Sequence, residues 1–134
     1  MNLNFKADKN LFDEKQMEVL NTFIEYLHNE IPLDDVDVEF VNKRQGVMTT
    51  GVRQPNGKLR ILAGGRMLLD VLRTLSHEWV HEGQHQILGW KIKGDEIGGP
   101  YENQANALSG VYLKKFQINH PDFMEILYES LDKN

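Results

Sequence analysis

Two periods of hydrophobicity divide the chain. Met17, Leu20, Ile24 and Leu27 recur three and four residues apart, the spacing that gathers side chains on one face of a helix. They predict an amphipathic helix over about residues 13–30 that stops at Ile31-Pro32, because a proline ring excludes its predecessor from helical geometry. The period then falls to two, with Val36, Val38 and Phe40 alternating with Asp37 and Glu39, as in a strand with one buried face. Pro55-Asn56-Gly57-Lys58 is a tight-turn signal that joins residues 46–53 to 58–63 as an antiparallel hairpin. Helical spacing returns over residues 66–88, where Leu68, Leu72, Leu75 and Trp79 form a stripe that faces a core. Pro100, followed by good helix formers, opens another helix. Phe123, Leu127 and Leu131 predict a short closing helix over 121–131. Gly64-Gly65, Gly94, Gly98 and Gly99 bracket the long helix and the loop after it and read as turns, with hinges of a movable cleft wall as the alternative. The fold class expected is α+β: a small antiparallel sheet of about three strands packed on one long helix, with further helices before and after.

That long helix carries the chemistry. It contains His77-Glu78-Trp79-Val80-His81, and two histidines four apart on a helix project from the same face about 6 Å apart along the axis. Both then reach a single zinc ion at about 2.0–2.1 Å. Glu78 lies about 100° further round, awkward as a ligand but within reach of a water on the metal, which makes it the candidate general base. A catalytic zinc takes a third protein ligand and keeps one position for water. Glu102 is the first candidate, with Asp95 and Glu96 in the glycine-rich segment as rivals; a helix holds a ligand more rigidly than a loop, which favours Glu102. Asn106, one turn beyond Glu102, is placed to accept a hydrogen bond from the far nitrogen of a ligating imidazole and fix its tautomer. His85 is about 12 Å along the axis from His77 and cannot share the ion; it reads as a half-exposed helix histidine or as a group lining the cleft. Tyr101, Tyr112 and His120 join it as candidates for stabilising an oxyanion. Trp90 and Tyr101 border the loop as packing anchors or substrate contacts.

His77-Glu78-Trp79-Val80-His81 followed by Glu102-Asn103-Gln104-Ala105-Asn106 resembles the gluzincin branch of the zincin metallopeptidases, and within it the minigluzincins and the ImmA/IrrE-type peptidases, over about residues 36–118. The resemblance implies a zinc metallopeptidase in which His77, His81 and Glu102 bind one zinc ion, Glu78 is the catalytic base and Asn106 supports a ligand. It also implies a peptide or protein substrate, held in extended form along an edge strand by main-chain hydrogen bonds; residues 58–63 are the expected strand. An ordinary hairpin covering the core is the competing account of that segment. Metzincins differ, since their third histidine falls six residues after the second, where this chain has Ile87. Two further accounts remain. One is a zincin-fold binding or regulatory module with little or no turnover; the other is a structural zinc with four protein ligands.

Composition narrows the setting. The 134 residues, 40% of them apolar, suffice for one compact domain and not for two, so residues 1–134 are expected as a single zincin-like unit. Net charge is −5, and the largest basic clusters are the pairs Lys43-Arg44 and Lys114-Lys115, which argues against a nucleic-acid partner. There is no cysteine, so disulfides contribute nothing and a reducing compartment is permitted. Residues 1–10 are polar and charged, and no apolar run approaches the ~20 residues that cross a bilayer. A cytoplasmic monomer without membrane contact is the expectation.

Overall fold

A computed structural model of the protein describes residues 2–44, 46, 50–88 and 99–131. Helix α1, Glu14–Glu30, starts at Asp13, whose carboxylate accepts from the Gln16 N–H at 2.7 Å while the Gln16 side chain accepts from the Asp13 N–H at 2.9 Å. This reciprocal pair satisfies two donors that the helix start would otherwise orphan. Leu20, Phe23, Ile24 and Leu27 form its buried face, and the helix ends at Ile31 as the following proline requires.

The sheet has four strands rather than about three, and it is mixed rather than antiparallel. β1 (Asn2–Ala7), β2 (Asp35–Val41), β3 (Gly51–Arg53) and β4 (Lys58–Leu62) lie in the order β1-β2-β4-β3. β1 runs parallel to β2 and β2 parallel to β4; the β3–β4 hairpin alone is antiparallel. The expected hairpin is present, with Gly57 at φ 88° and its N–H on the Gln54 carbonyl at 2.8 Å. After β2, however, the chain passes to the far edge before returning as β4, which inserts beside β2. That crossover makes the central β2–β4 pairing parallel, as the α1 connection does for β1 and β2. β1 comes from the segment read as merely polar: Leu3, Phe5 and Ala7 alternate there and pack against the core.

Val36, Val38, Phe40, Leu59 and Ile61 fill the covered face of the sheet. On the opposite face Arg60 donates to Glu39 at 2.8 Å across paired strands. Helix α2, Leu68–Leu88, buries Leu68, Leu72, Leu75 and Trp79 completely, as the stripe predicts. The Trp79 indole N–H donates to the Ile31 carbonyl at 3.0 Å, so the largest core side chain leaves no polar atom stranded. Helix α3, Pro100–Asn119, packs along α2 and buries Ala105, Leu113 and Phe116, the last edge-on to Phe23 of α1 at 4.9 Å. The closing segment is less helical than its spacing predicts. One 3₁₀ turn, Pro121–Phe123, and α4, Met124–Leu127, are followed by extended chain in which Leu131 N–H donates to the Arg66 carbonyl and Leu68 N–H to that of Glu129. Leu127 and Leu131 are still fully buried. Among the described residues no helix is long and apolar enough to cross a membrane.

Candidate metal centre

α2 and α3 run antiparallel, which brings the first turn of α3 against the middle of α2. There the His77 Nε2 lies 2.9 Å from one Glu102 carboxylate oxygen, the His81 Nε2 lies 3.1 Å from the other, and the two Nε2 atoms are 3.2 Å apart. Metal–ligand bonds of about 2.0–2.1 Å in tetrahedral directions place ligand atoms about 3.3 Å from one another. The three residues therefore form a group that could hold a metal ion, with donor types suited to one. Burial holds the His77 pKa below its ordinary value against the opposing charge of Glu102, and the Asn106 side chain hydrogen-bonds the same ring. A neutral imidazole is the ligating form.

The second histidine has a support that the sequence reading missed. His81 Nδ1 lies 2.9 Å from Gln84 Oε1, while the Gln84 Nε2 donates to the Tyr101 carbonyl at 3.0 Å and to Gln104 Oε1 at 2.8 Å. An amide nitrogen facing two acceptors fixes which end of Gln84 is oxygen. That oxygen can only accept, so His81 Nδ1 carries the proton and its Nε2 lone pair points at Glu102 and His77. Gln84 is buried, and it ties the ligand helix to α3 as well as orienting the ring. Its signal in the sequence was a glutamine three residues past His81 on the same helical face. Gln84→Ala is expected to weaken metal binding about 10- to 100-fold. Gln84→Glu, which keeps an acceptor for the ring but has no N–H for the Tyr101 carbonyl and Gln104, recovers only part of it; competition with a chromogenic chelator reads both, and unchanged affinity in the alanine variant would remove this role.

Glu78 faces a cleft of about 470 Å³ beside the cluster, lined by Thr50 and Gly51 of the β3 end, by Arg73, Thr74, His77 and Glu78 of α2, and by Asn106, Ser109 and Gly110 of α3. Burial pushes its carboxyl up to about 7 from 4.5, with the neighbouring His81 imidazole pulling the other way. The folded protein thus keeps a proton that the unfolded chain releases near 4.5, and stability falls wherever the folded state binds the extra proton. In metal-free protein, the stability of wild type relative to Glu78→Gln is therefore expected to be greatest below pH 4.5 and to decline as pH rises to about 7. Urea unfolding across that range measures it, and a flat difference would contradict it.

The edge of the sheet at the cleft is β3, not residues 58–63: β4 is enclosed between β2 and β3. Thr50 and Gln54 bond to β4 through the Leu62 N–H and the Lys58 carbonyl. By antiparallel alternation the main-chain groups of Gly51 and Arg53 point away from β4. Gly51 has to be glycine for this strand to lie so close to α2, since a Cβ there would meet Thr74 Cγ2 at 2.5 Å and Glu78 Cγ at 3.3 Å. Arg53 pins the other end of β3 through Glu82 at 2.6 Å.

The remaining candidates divide clearly. His85 lies beyond the cluster in the field of Arg53, partly exposed, with its pKa lowered by burial first and then by that arginine. Tyr101 contributes its carbonyl to Gln84. Tyr112 packs edge-on to Tyr26 in the core, and His120 stacks on Phe123 at the far end of α3, so neither reaches the cluster. Asp95, Glu96, Trp90, Gly94 and Gly98 lie outside the described residues. No protein-family model, curated protein or solved structure matches the chain.

Proposed function

We propose that the protein is a zinc-dependent metallopeptidase. The observation that carries this reading is the convergence of two imidazole nitrogens and a carboxylate at separations of 2.9–3.2 Å, with a buried carboxyl of raised pKa next to them in the same cleft. His77, His81 and Glu102 hold the ion. A zinc ion in such a set supplies a lowered pKa for bound water and polarisation of a substrate carbonyl. Glu78, ionised, takes a proton from the attacking water on its carboxylate and passes it to the amine nitrogen as the C–N bond breaks and the new C–O bond is complete. The main-chain groups of Gly51 and Arg53 align the substrate by adding it as a strand to the edge of β3. Thr74, held by Arg66 at 2.9 Å, and Glu78 form the floor beneath it.

The test is metal analysis of purified protein followed by cleavage of a peptide library with and without chelator. About one zinc per chain is expected, with cleavage that stops on chelation and returns with zinc. Bound zinc without cleavage of any peptide would replace the peptidase by a binding module.

A further inference from the structure

The cleft continues past His77 toward the start of α2, and Arg73 governs that end. Arg73 lies one helical turn before His77, about 6 Å along the axis, and lines the cleft opposite Ser109 and Gly110. Among the described lining residues the formal charges are Arg73 and Glu78 alone. The Arg73 side chain is 56% exposed and donates one N–H to Asp70 at 3.0 Å; Asp70 is itself 46% exposed and does not line the cleft. An exposed pair of this kind is weak, and a guanidinium so held keeps most of its planar fork for a ligand carboxylate. A second guanidinium strengthens the positive field there: Arg66 donates to the Leu62 and Asp70 carbonyls and to Thr74, directly behind the cleft wall. Gly110 keeps the opposite wall low, for a Cβ at that position would meet nothing within 4 Å. There is thus room for a ligand side chain between Arg73 and α3.

The strand direction says which part of a substrate arrives at Arg73. Gly51 lies over Thr74 and Glu78, and Arg53 pairs with Glu82, so β3 runs in the same sense as α2. A peptide paired antiparallel to β3 runs the opposite way, with the residues after its cleaved bond toward Arg73. We infer that Arg73 selects substrates carrying a carboxylate within one or two residues after the cleaved bond, either an Asp or Glu side chain or the C-terminal carboxylate of a short peptide. This rests on the peptidase reading above and adds a substrate class to it.

The experiment compares matched fluorogenic peptides with zinc-loaded protein: Asp or Glu against Asn or Gln at each of the two positions, and free against amidated C-termini. The carboxylate form is expected to be favoured about tenfold in kcat/KM. In Arg73→Gln that ratio falls to about one, in Arg73→Lys part of it survives, and in Arg73→Glu basic peptides are favoured instead. The same peptides are then bound to Glu78→Gln and to the Glu78→Gln, Arg73→Gln double variant, with fluorescence anisotropy as a readout that needs no turnover. Cleavage without carboxylate preference, or a preference that survives in Arg73→Gln, overturns the assignment and leaves the peptidase reading standing. Failure to cleave any peptide overturns the peptidase reading; anisotropy then decides the grip alone, and no carboxylate-dependent difference there overturns it too.

Discussion

Glu78→Gln will lose peptide hydrolysis by about 10²- to 10⁴-fold in kcat while retaining its metal. The two effects separate because Glu78 is not one of the converging donors: those are His77, His81 and Glu102. Its carboxyl instead faces the adjoining cleft, where it is 9% exposed and burial raises its pKa to about 7. That is its value without metal; the charge of a bound cation lowers it, so at neutral pH the group is a carboxylate that can accept a proton and return it. Glutamine has the same shape and cannot do so. The substitution also removes the cost of ionising a buried carboxyl, so the variant should fold at least as stably as wild type at neutral pH. Zinc content, thermal unfolding and single-turnover cleavage of one peptide together check the prediction. Turnover persisting near the wild-type rate would assign the proton transfer elsewhere; loss of zinc would put Glu78 among the ligands.

Much of this site was legible because it depends on short-range helical geometry. The His77/His81 pair follows from a spacing of four, the stripe Leu68, Leu72, Leu75 and Trp79 fixes which face is buried, and Pro100 announces the helix that carries Glu102. What the pattern could not give depends on long-range pairing. The alternation of Leu3, Phe5 and Ala7 is too short to declare a strand alone; it becomes one because β2 lies parallel beside it with α1 as the connection. Strand order is likewise invisible in a hairpin signal, which points to residues 58–63 as the edge strand, whereas the sheet ends at β3 and Gly51 lines the cleft. For Gln84 the three-residue spacing from His81 is a weak signal, because any polar residue on that helical face would show it. Its role appears only when the Tyr101 carbonyl and Gln104 come within hydrogen-bond distance from another helix.

Zinc added to the metal-free protein will raise its unfolding temperature, and Glu102→Ala will abolish most of the rise. An ion that binds only the folded state stabilises it by about 2.7 kcal/mol at 100 times its dissociation constant, which for a domain of this size corresponds to about 10 °C. The folded state alone satisfies the geometry, since the donors come from α2 and α3 and converge only when those helices pack. Removing the Glu102 carboxylate leaves a two-histidine site, with affinity expected to fall about 100-fold or more. Without metal the same substitution should matter far less, because the Glu102 contacts with His77 and His81 are partly exposed and such pairs are worth at most about 1 kcal/mol. The difference between the zinc-induced shifts of wild type and variant therefore isolates coordination from packing. Calorimetry with zinc and after chelation measures it, with His85→Ala, Asp95→Ala and Glu96→Ala as comparisons expected to keep the full rise. A rise of wild-type size in Glu102→Ala, or its loss in Asp95→Ala or Glu96→Ala, would move the third ligand off α3 and undo the cluster on which the peptidase reading depends.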